Sequence, residues 1–217
     1  MIRKLNLTHQ PHKSPFFSAA RLAAALAIGL TITIWAGSFG AFAQGCEELR
    51  HSVLRLHILA NSDSESDQEL KLKVRDRILE LDGTLFEGAK DLASAESAAA
   101  EQLETIRAEA QEEVYRQGYD YPVHAELTNM YFTTRVYEQY TLPAGYYDAV
   151  RITIGSGEGH NWWCVLYPPL CLPAAESRED LADVLTPEEL AVIEGGEEYE
   201  YRFAVVELWE KLKNLFD

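Results

Sequence analysis

His160 and Cys164 are a pair with the side-chain types a covalent catalyst needs, in a chain of 217 residues. A cysteine nucleophile works as a thiolate beside a base that a third group orients. The connecting "GHNWWC" has the texture of a strand, which puts His160 and Cys164 on one face but roughly 13 Å apart, too far for direct proton transfer without a bend. Cys171 offers Cys164 a different fate. In an oxidising compartment the two would pair across "VLYPPL", which removes the nucleophile and stabilises a short loop by about 2.5 kcal/mol or less. Cys46 is then left over, and Ala43-Gln44-Gly45 before it is a poor match to a lipoprotein cleavage site.

Other groups fail on spacing. Asp63, Glu65, Asp67 and Glu69 resemble a calcium loop, but that loop needs glycine at its sixth position and glutamate at its twelfth, where this chain has Gln68 and Val74. The acidic run suits a helix N-terminus, so no metal and no cofactor is expected. Gly155-Ser156-Gly157 lacks the G-x-S-x-G spacing of a hydrolase elbow and reads as a turn. His57 falls beside Arg55 on the polar side of an alternating strand, as a structural histidine. Trp162 and Trp163 must face opposite ways on a strand, so one enters the core and the other is free to anchor a partner.

The elements that position these residues follow from periodicity. Residues 1 to 43 carry Arg3, Lys4, Lys13 and Arg21 but no acid, and are uncharged from Leu22 onward. This is a signal peptide cut after Ala43 or, if Gly37 to Ala43 extends the span, an uncleaved anchor. Residues 44–217 then form a single exported domain. Removing the four basic residues of the leader from a formal charge of −16 leaves that domain near −20. Such a charge argues against nucleic acid and anionic lipid, leaving membrane contact to the leader or to a partner.

Leu54, Leu56 and Ile58 alternate with Arg55 and His57, a strand with one buried face. Ser66 and Glu69 are spaced as a capping box for a helix from about Asp67 to Leu81, with Leu70, Val74, Ile78 and Leu81 on one stripe. A second helix spans about Ser94 to Gln117 and stops at Gly118. Strands follow at Val123 to Arg135, Tyr147 to Ile154 and Asn161 to Tyr167. Thr186-Pro187-Glu188-Glu189 starts a further helix. The tail begins extended and turns helical, with Val205, Leu208, Trp209, Leu212 and Phe216 expected to pack in the core. The fold class is α+β: a largely antiparallel sheet of about four strands with two or more helices on one face.

Three strings carry a resemblance: "LRLHILANSDSESDQELKLKVRD" from Leu54, "TLPAGYYDAVRITIGSGEGHNWWCVLYPPLC" from Thr141 and "YRFAVVELWE" from Tyr201. They resemble the stage II sporulation protein R family. The resemblance implies a protein made in the forespore and exported between the two membranes. There it would activate a membrane-embedded aspartic protease of the mother cell, which matures the sigma-E precursor. On that reading the chain is not an enzyme, and its partner surface joins Asn61, Ser62 and Asp63 with His160, Asn161 and Trp162 at element ends. Two other classes stand beside it: a secreted cysteine hydrolase using Cys164 and His160, and a cell-envelope binding module with an exposed tryptophan platform.

Overall fold

The computed structural model describes residues 19–137, 140–168, 185–195 and 200–216. The chain divides into two compact units, Met1–Ala41 and Phe42–Asp217. The first unit is occupied by most of helix α1 (Ala19–Arg50). Leu22, Leu26, Ile28, Leu30, Ile32, Ile34 and Trp35 are all exposed on it. Thr31 and Thr33 turn their hydroxyls back onto the carbonyls of Ala27 and Gly29, both at 2.9 Å. That leaves no hydroxyl proton unpaired, as an apolar surrounding requires. The helix is long and apolar enough to cross a membrane, which fits a signal or anchor segment.

In the second unit β1 (Leu54–Leu59) leads into α2 (Glu65–Leu85) and α3 (Leu92–Arg116). The chain continues through β2 (Val123–Phe132), a small hairpin of β3 (Arg135–Tyr137) and β4 (Tyr140–Leu142), and then β5 (Gly145–Ile154) and β6 (Asn161–Tyr167). Helices α4 (Pro187–Glu194) and α5 (Glu200–Phe216) follow. The main sheet has the order β2-β5-β1-β6. β5 runs parallel to β1, while β6 and β2 are antiparallel to their neighbours. This is the α+β class with a four-stranded, largely antiparallel sheet.

The apolar stripes of α2 and α3 form the core against one sheet face. Leu70, Val74, Ile78, Ile106, Ala110 and Val114 meet Leu56, Ile58, Val150, Ile152, Cys164 and Leu166. α3 is capped by Asp91, whose carboxylate accepts from Ser94 N at 2.8 Å. It ends at Gly118, with φ +86. Gly118 N reaches Tyr115 O at 2.9 Å and Tyr119 N reaches Val114 O at 3.1 Å, the paired bonds that close a helix through a left-handed residue. At α4 the Thr186–Glu189 capping box forms with Pro187 in the first turn, as the sequence predicts.

Three expectations change. α2 starts two residues early, because Ser64 rather than Ser66 caps it and accepts from Asp67 N at 3.2 Å. β1 is buried on both faces, so Arg55 and His57 do not line a polar surface. The tail is helical throughout, and its buried side is Phe203, Val206 and Glu210. Val205, Leu208, Trp209 and Leu212 face outward instead, because Phe203 packs on Phe42 at 5.2 Å and sets the inward side.

The last turns of α1 belong to this unit. Phe42, Cys46 and Leu49 are buried, and Arg50 donates from Nε and Nη2 to Ala144 O at 3.1 and 2.8 Å. A Cβ on Gly145 would come within 2.1 Å of Arg50 Nε, so the "PAG" turn is shaped around that guanidinium.

Candidate functional site

β1 and β5 end side by side because they are parallel, and the loops that follow them meet. Asn61 joins the two. Its Oδ1 accepts from Ser156 N at 3.0 Å, its backbone oxygen accepts from Ser156 Oγ at 2.6 Å and from Glu158 N at 3.2 Å, and its Nδ2 donates to Asp67 Oδ2 at 2.8 Å. Gly159 N adds a bond to Ala60 O at 2.9 Å. Glycine is required at 155: its φ is +60, and a Cβ there would lie 2.2 Å from Asn61 Oδ1. At Gly159 a Cβ would lie 2.2 Å from Ser62 O.

Asp67 anchors the network from the first turn of α2. It is buried, and burial alone would raise its pKa. The donors Ser62, Asn61 and Tyr121 outweigh that and hold the carboxyl below its ordinary range. Ser62 Oγ donates to Asp67 Oδ2 at 2.6 Å. Gln68 Nε2 donates to Ser62 O at 2.8 Å, and Lys71 Nζ bridges Gln68 Oε1 at 2.6 Å and His160 O at 2.9 Å. Lys71 is itself buried, which pushes its pKa down against the pull of Asp63.

The network presents Asp63 and His160. Asp63 Oδ1 accepts from His160 N at 2.6 Å and pairs with His160 Nδ1. These side chains remain 57% and 76% exposed. An exposed acid and imidazole are thus held on a backbone tied to Asp67, Gln68 and Lys71 by part-buried hydrogen bonds.

Asn161 and the tryptophans carry the arrangement into β6. Asn161 Oδ1 accepts from His57 Nε2 at 2.8 Å, while His57 Nδ1 is buried without a partner. Burial lowers the His57 pKa to about 4, so it is neutral in ordinary solution. Trp163 stacks flat on His57, 3.9 Å between centroids at 4°. Trp162 faces the α2 side, with the Arg75 guanidinium 4.4 Å over its ring. The two indoles do face opposite ways, yet both are half-buried, and neither is the freely exposed platform that alternation implies.

All six expected partner-binding residues, Asn61, Ser62, Asp63, His160, Asn161 and Trp162, therefore gather at one end of the sheet. His160 and Cys164 do not form a dyad: the histidine pairs with Asp63 at the surface, while Cys164 lies in the core opposite Leu56. Cys171 lies outside the described residues. Cys46 is a buried free thiol whose pKa burial pushes up to about 12, which makes it unreactive. Among the described residues, no three His, Cys, Asp or Glu groups converge as metal ligands.

Sequence reasoning missed Lys71 and Arg55. Lys71 sits on the polar side of the α2 pattern, and only the meeting of two distant loops buries it. Arg55 reads as a solvated strand residue until Phe132, Tyr137 and Tyr147 close over it.

No solved structure matches the chain. Stage II sporulation protein R of Bacillus subtilis (strain 168) is 39% identical over 118 residues, which is 54% of this chain and 53% of the relative. The chain thus aligns with about half the length of that relative. A family model described as Stage II sporulation protein R matches residues 50–177, more than half of the chain and the stretch that builds the sheet, α2, α3 and the loop network. With the shared stretch covering the body of the fold, the chain belongs to the stage II sporulation protein R family.

Proposed function

We propose that this chain is an exported signal of endospore formation that acts by docking. Its partner is a membrane-embedded aspartic protease of the mother cell, and the outcome is maturation of the sigma-E precursor. The observation that carries the reading is the Asp63–His160 pair, exposed on a backbone fixed by Asn61, Ser62, Asp67 and Lys71. A rigid surface loses little conformational freedom on binding, which favours recognition. An activator needs only to prefer the active protease: about 2.7 kcal/mol of differential affinity shifts that equilibrium about a hundredfold. A disulfide between Cys164 and Cys171 belongs to this reading, and the catalytic aspartates belong to the partner.

The apolar N-terminal segment delivers the body to the space between the membranes. Ala43 is half-buried within α1, next to Phe42, which packs on Phe203. Cleavage there would remove Phe42 from the body, so retention as an anchor is favoured over removal. Mass spectrometry of the exported chain decides this: an N-terminus at Gln44 contradicts retention.

The docking test is co-expression with the candidate protease and its precursor substrate in a non-sporulating host. Wild type supports precursor cleavage, while Asp63→Ala and His160→Ala, folded and exported, lose most of it. Full cleavage with both variants removes this surface from the mechanism.

A further inference from the structure

The second face of the sheet, away from α2 and α3, gathers three arginines around the His57–Trp163 stack. Arg55 is wholly buried there. Its Nε donates to Cys164 O at 2.9 Å and its Nη2 to the Tyr137 hydroxyl at 2.7 Å. Its guanidinium carbon lies 4.3 Å from the Phe132 centroid and 5.0 Å from that of Tyr147. Nη1 is buried with no partner. Arg135, on the hairpin, sits 5.5 Å over Trp163 with its Nε buried and unpaired, and its charge repels that of Arg55. Among the described residues Arg151, opposite His57 on β5, reaches the exposed Glu126 at 3.4 Å, and its Nε is likewise unpaired. No carboxylate pairs with Arg55 or Arg135 among the described residues.

This is an anomaly in a chain with 35 acidic and 19 basic residues. Acid is plentiful, and α3 alone pairs Arg107 with Glu104 and Arg116 with Glu113. A buried guanidinium without a counter-charge is costly, and fold stability would be served as well by an apolar side chain of the same shape. Retaining unpaired guanidinium forks beside an aromatic cluster makes physical sense when the missing anion arrives from outside.

The anion has to be planar and small. A carboxylate matches the guanidinium fork through two parallel hydrogen bonds, and Trp163 and Phe132, 4.8 Å apart, supply an aromatic wall for the rest of its side chain. The neighbouring β3–β4 hairpin forms its own two-stranded sheet. Over Arg55 this hairpin is tied by the Tyr137 hydroxyl, which accepts from Nη2 and donates a long 3.4 Å bond to Trp163 O. An incoming carboxylate can take the place of that hydroxyl on Arg55.

We infer that this face is a binding site for side-chain carboxylates of an acidic segment of a partner polypeptide, with Arg55 and Arg135 as receptors and Trp163 as the wall. The site lies across the sheet from Trp162 and does not depend on the Asp63–His160 surface.

The test measures fluorescence anisotropy of a labelled peptide, Glu-Asp-Glu-Phe capped at both ends, against the folded full-length chain in detergent micelles. Its amide counterpart Gln-Asn-Gln-Phe is the reference. The acidic peptide binds at least about tenfold more tightly, a difference of ~1.4 kcal/mol. Arg135→Gln and Arg55→Met abolish that preference, while Arg107→Gln and Asp63→Ala keep it. Equal affinity for the two peptides, absence of binding, or a preference that survives in Arg135→Gln overturns the assignment. So does competition by inorganic phosphate as effective as by the acidic peptide. Arg135 is half-buried on the small hairpin, so its variant decides the matter even if Arg55→Met fails to fold.

Discussion

At the end of β1, Asp67 is buried among Asn61, Ser62, Ser64 and Tyr121, and nearly every donor and acceptor around it is used. Within β1 itself, Arg55 is buried more deeply, and part of its guanidinium has nothing to bond. The first region closes its hydrogen bonds internally and exposes a fixed pair, Asp63 and His160. The second leaves donors open beneath a small hairpin. A saturated network makes a rigid template, whereas an unsaturated one is complete only with something added. On the two readings proposed above, the first surface presents and the second receives.

The comparison can be broken by substitution. Arg55→Ala should have the largest effect, because it opens a cavity among Phe132, Tyr137 and Tyr147 and removes the Nε donor to Cys164 O. Urea unfolding should show a loss of about 4 kcal/mol. Arg55→Met should cost clearly less than Arg55→Ala, since it fills the space and has no charge to bury, and its remaining cost is the lost donors to Cys164 O and the Tyr137 hydroxyl. If Met is as damaging as Ala, Arg55 is needed for the fold itself, and Arg135→Gln is left to test the open donors.

Asp67→Ala comes next, at about 3 kcal/mol, since it strands the Asn61 and Ser62 donors together. Gly155→Ala should cost about 2 kcal/mol, through its positive φ and the approach to Asn61 Oδ1. Hydrogen exchange should then quicken at Ser156, Glu158 and Gly159 in both variants but not in β5. Uniform acceleration across the sheet would mean that the loop network is not a separate unit.

The pH dependence sharpens the contrast further. The His57 pKa falls from 6.5 to about 4 in the fold because burial disfavours the imidazolium. Between those values the unfolded chain holds the extra proton, so stability is full above pH 6.5 and declines as pH drops toward 4. His57→Gln should flatten that part of the profile. Asp67 acts lower: its depressed pKa gives stability above the unfolded value near ~3.9, lost as pH falls through its folded pKa. Asp67→Asn should remove this acid limb and leave the His57 limb in place.

Much of this was legible in sequence. The 3.6-residue stripes placed α2 and α3, Gly118 ended α3, and the β-branched and aromatic texture placed β6 at Asn161–Tyr167. The juxtaposition of Asn61–Asp63 with His160–Trp162 also followed, because both stretches sit at strand ends with turn chemistry. The tail misled because Val205, Leu208, Trp209 and Leu212 make a convincing apolar side, and only the position of Phe42 shows that the opposite side turns inward. Arg55 misled for a similar reason: period-two alternation fixes which face a residue joins, but what covers that face is decided by β3, β4 and Tyr147, far along the chain. Lys71 is buried by the same kind of distant event.

On the proposed reading, the exposed Asp63–His160 pair docks on the protease. The most direct measurement is the affinity of the full-length chain for the purified protease in nanodiscs, with wild type and Asp63→Ala compared at equal unfolding midpoints. The account predicts binding weakened by about tenfold or more in the variant, equivalent to ~1.4 kcal/mol or more at the interface. Unchanged affinity in a folded Asp63→Ala chain would contradict it.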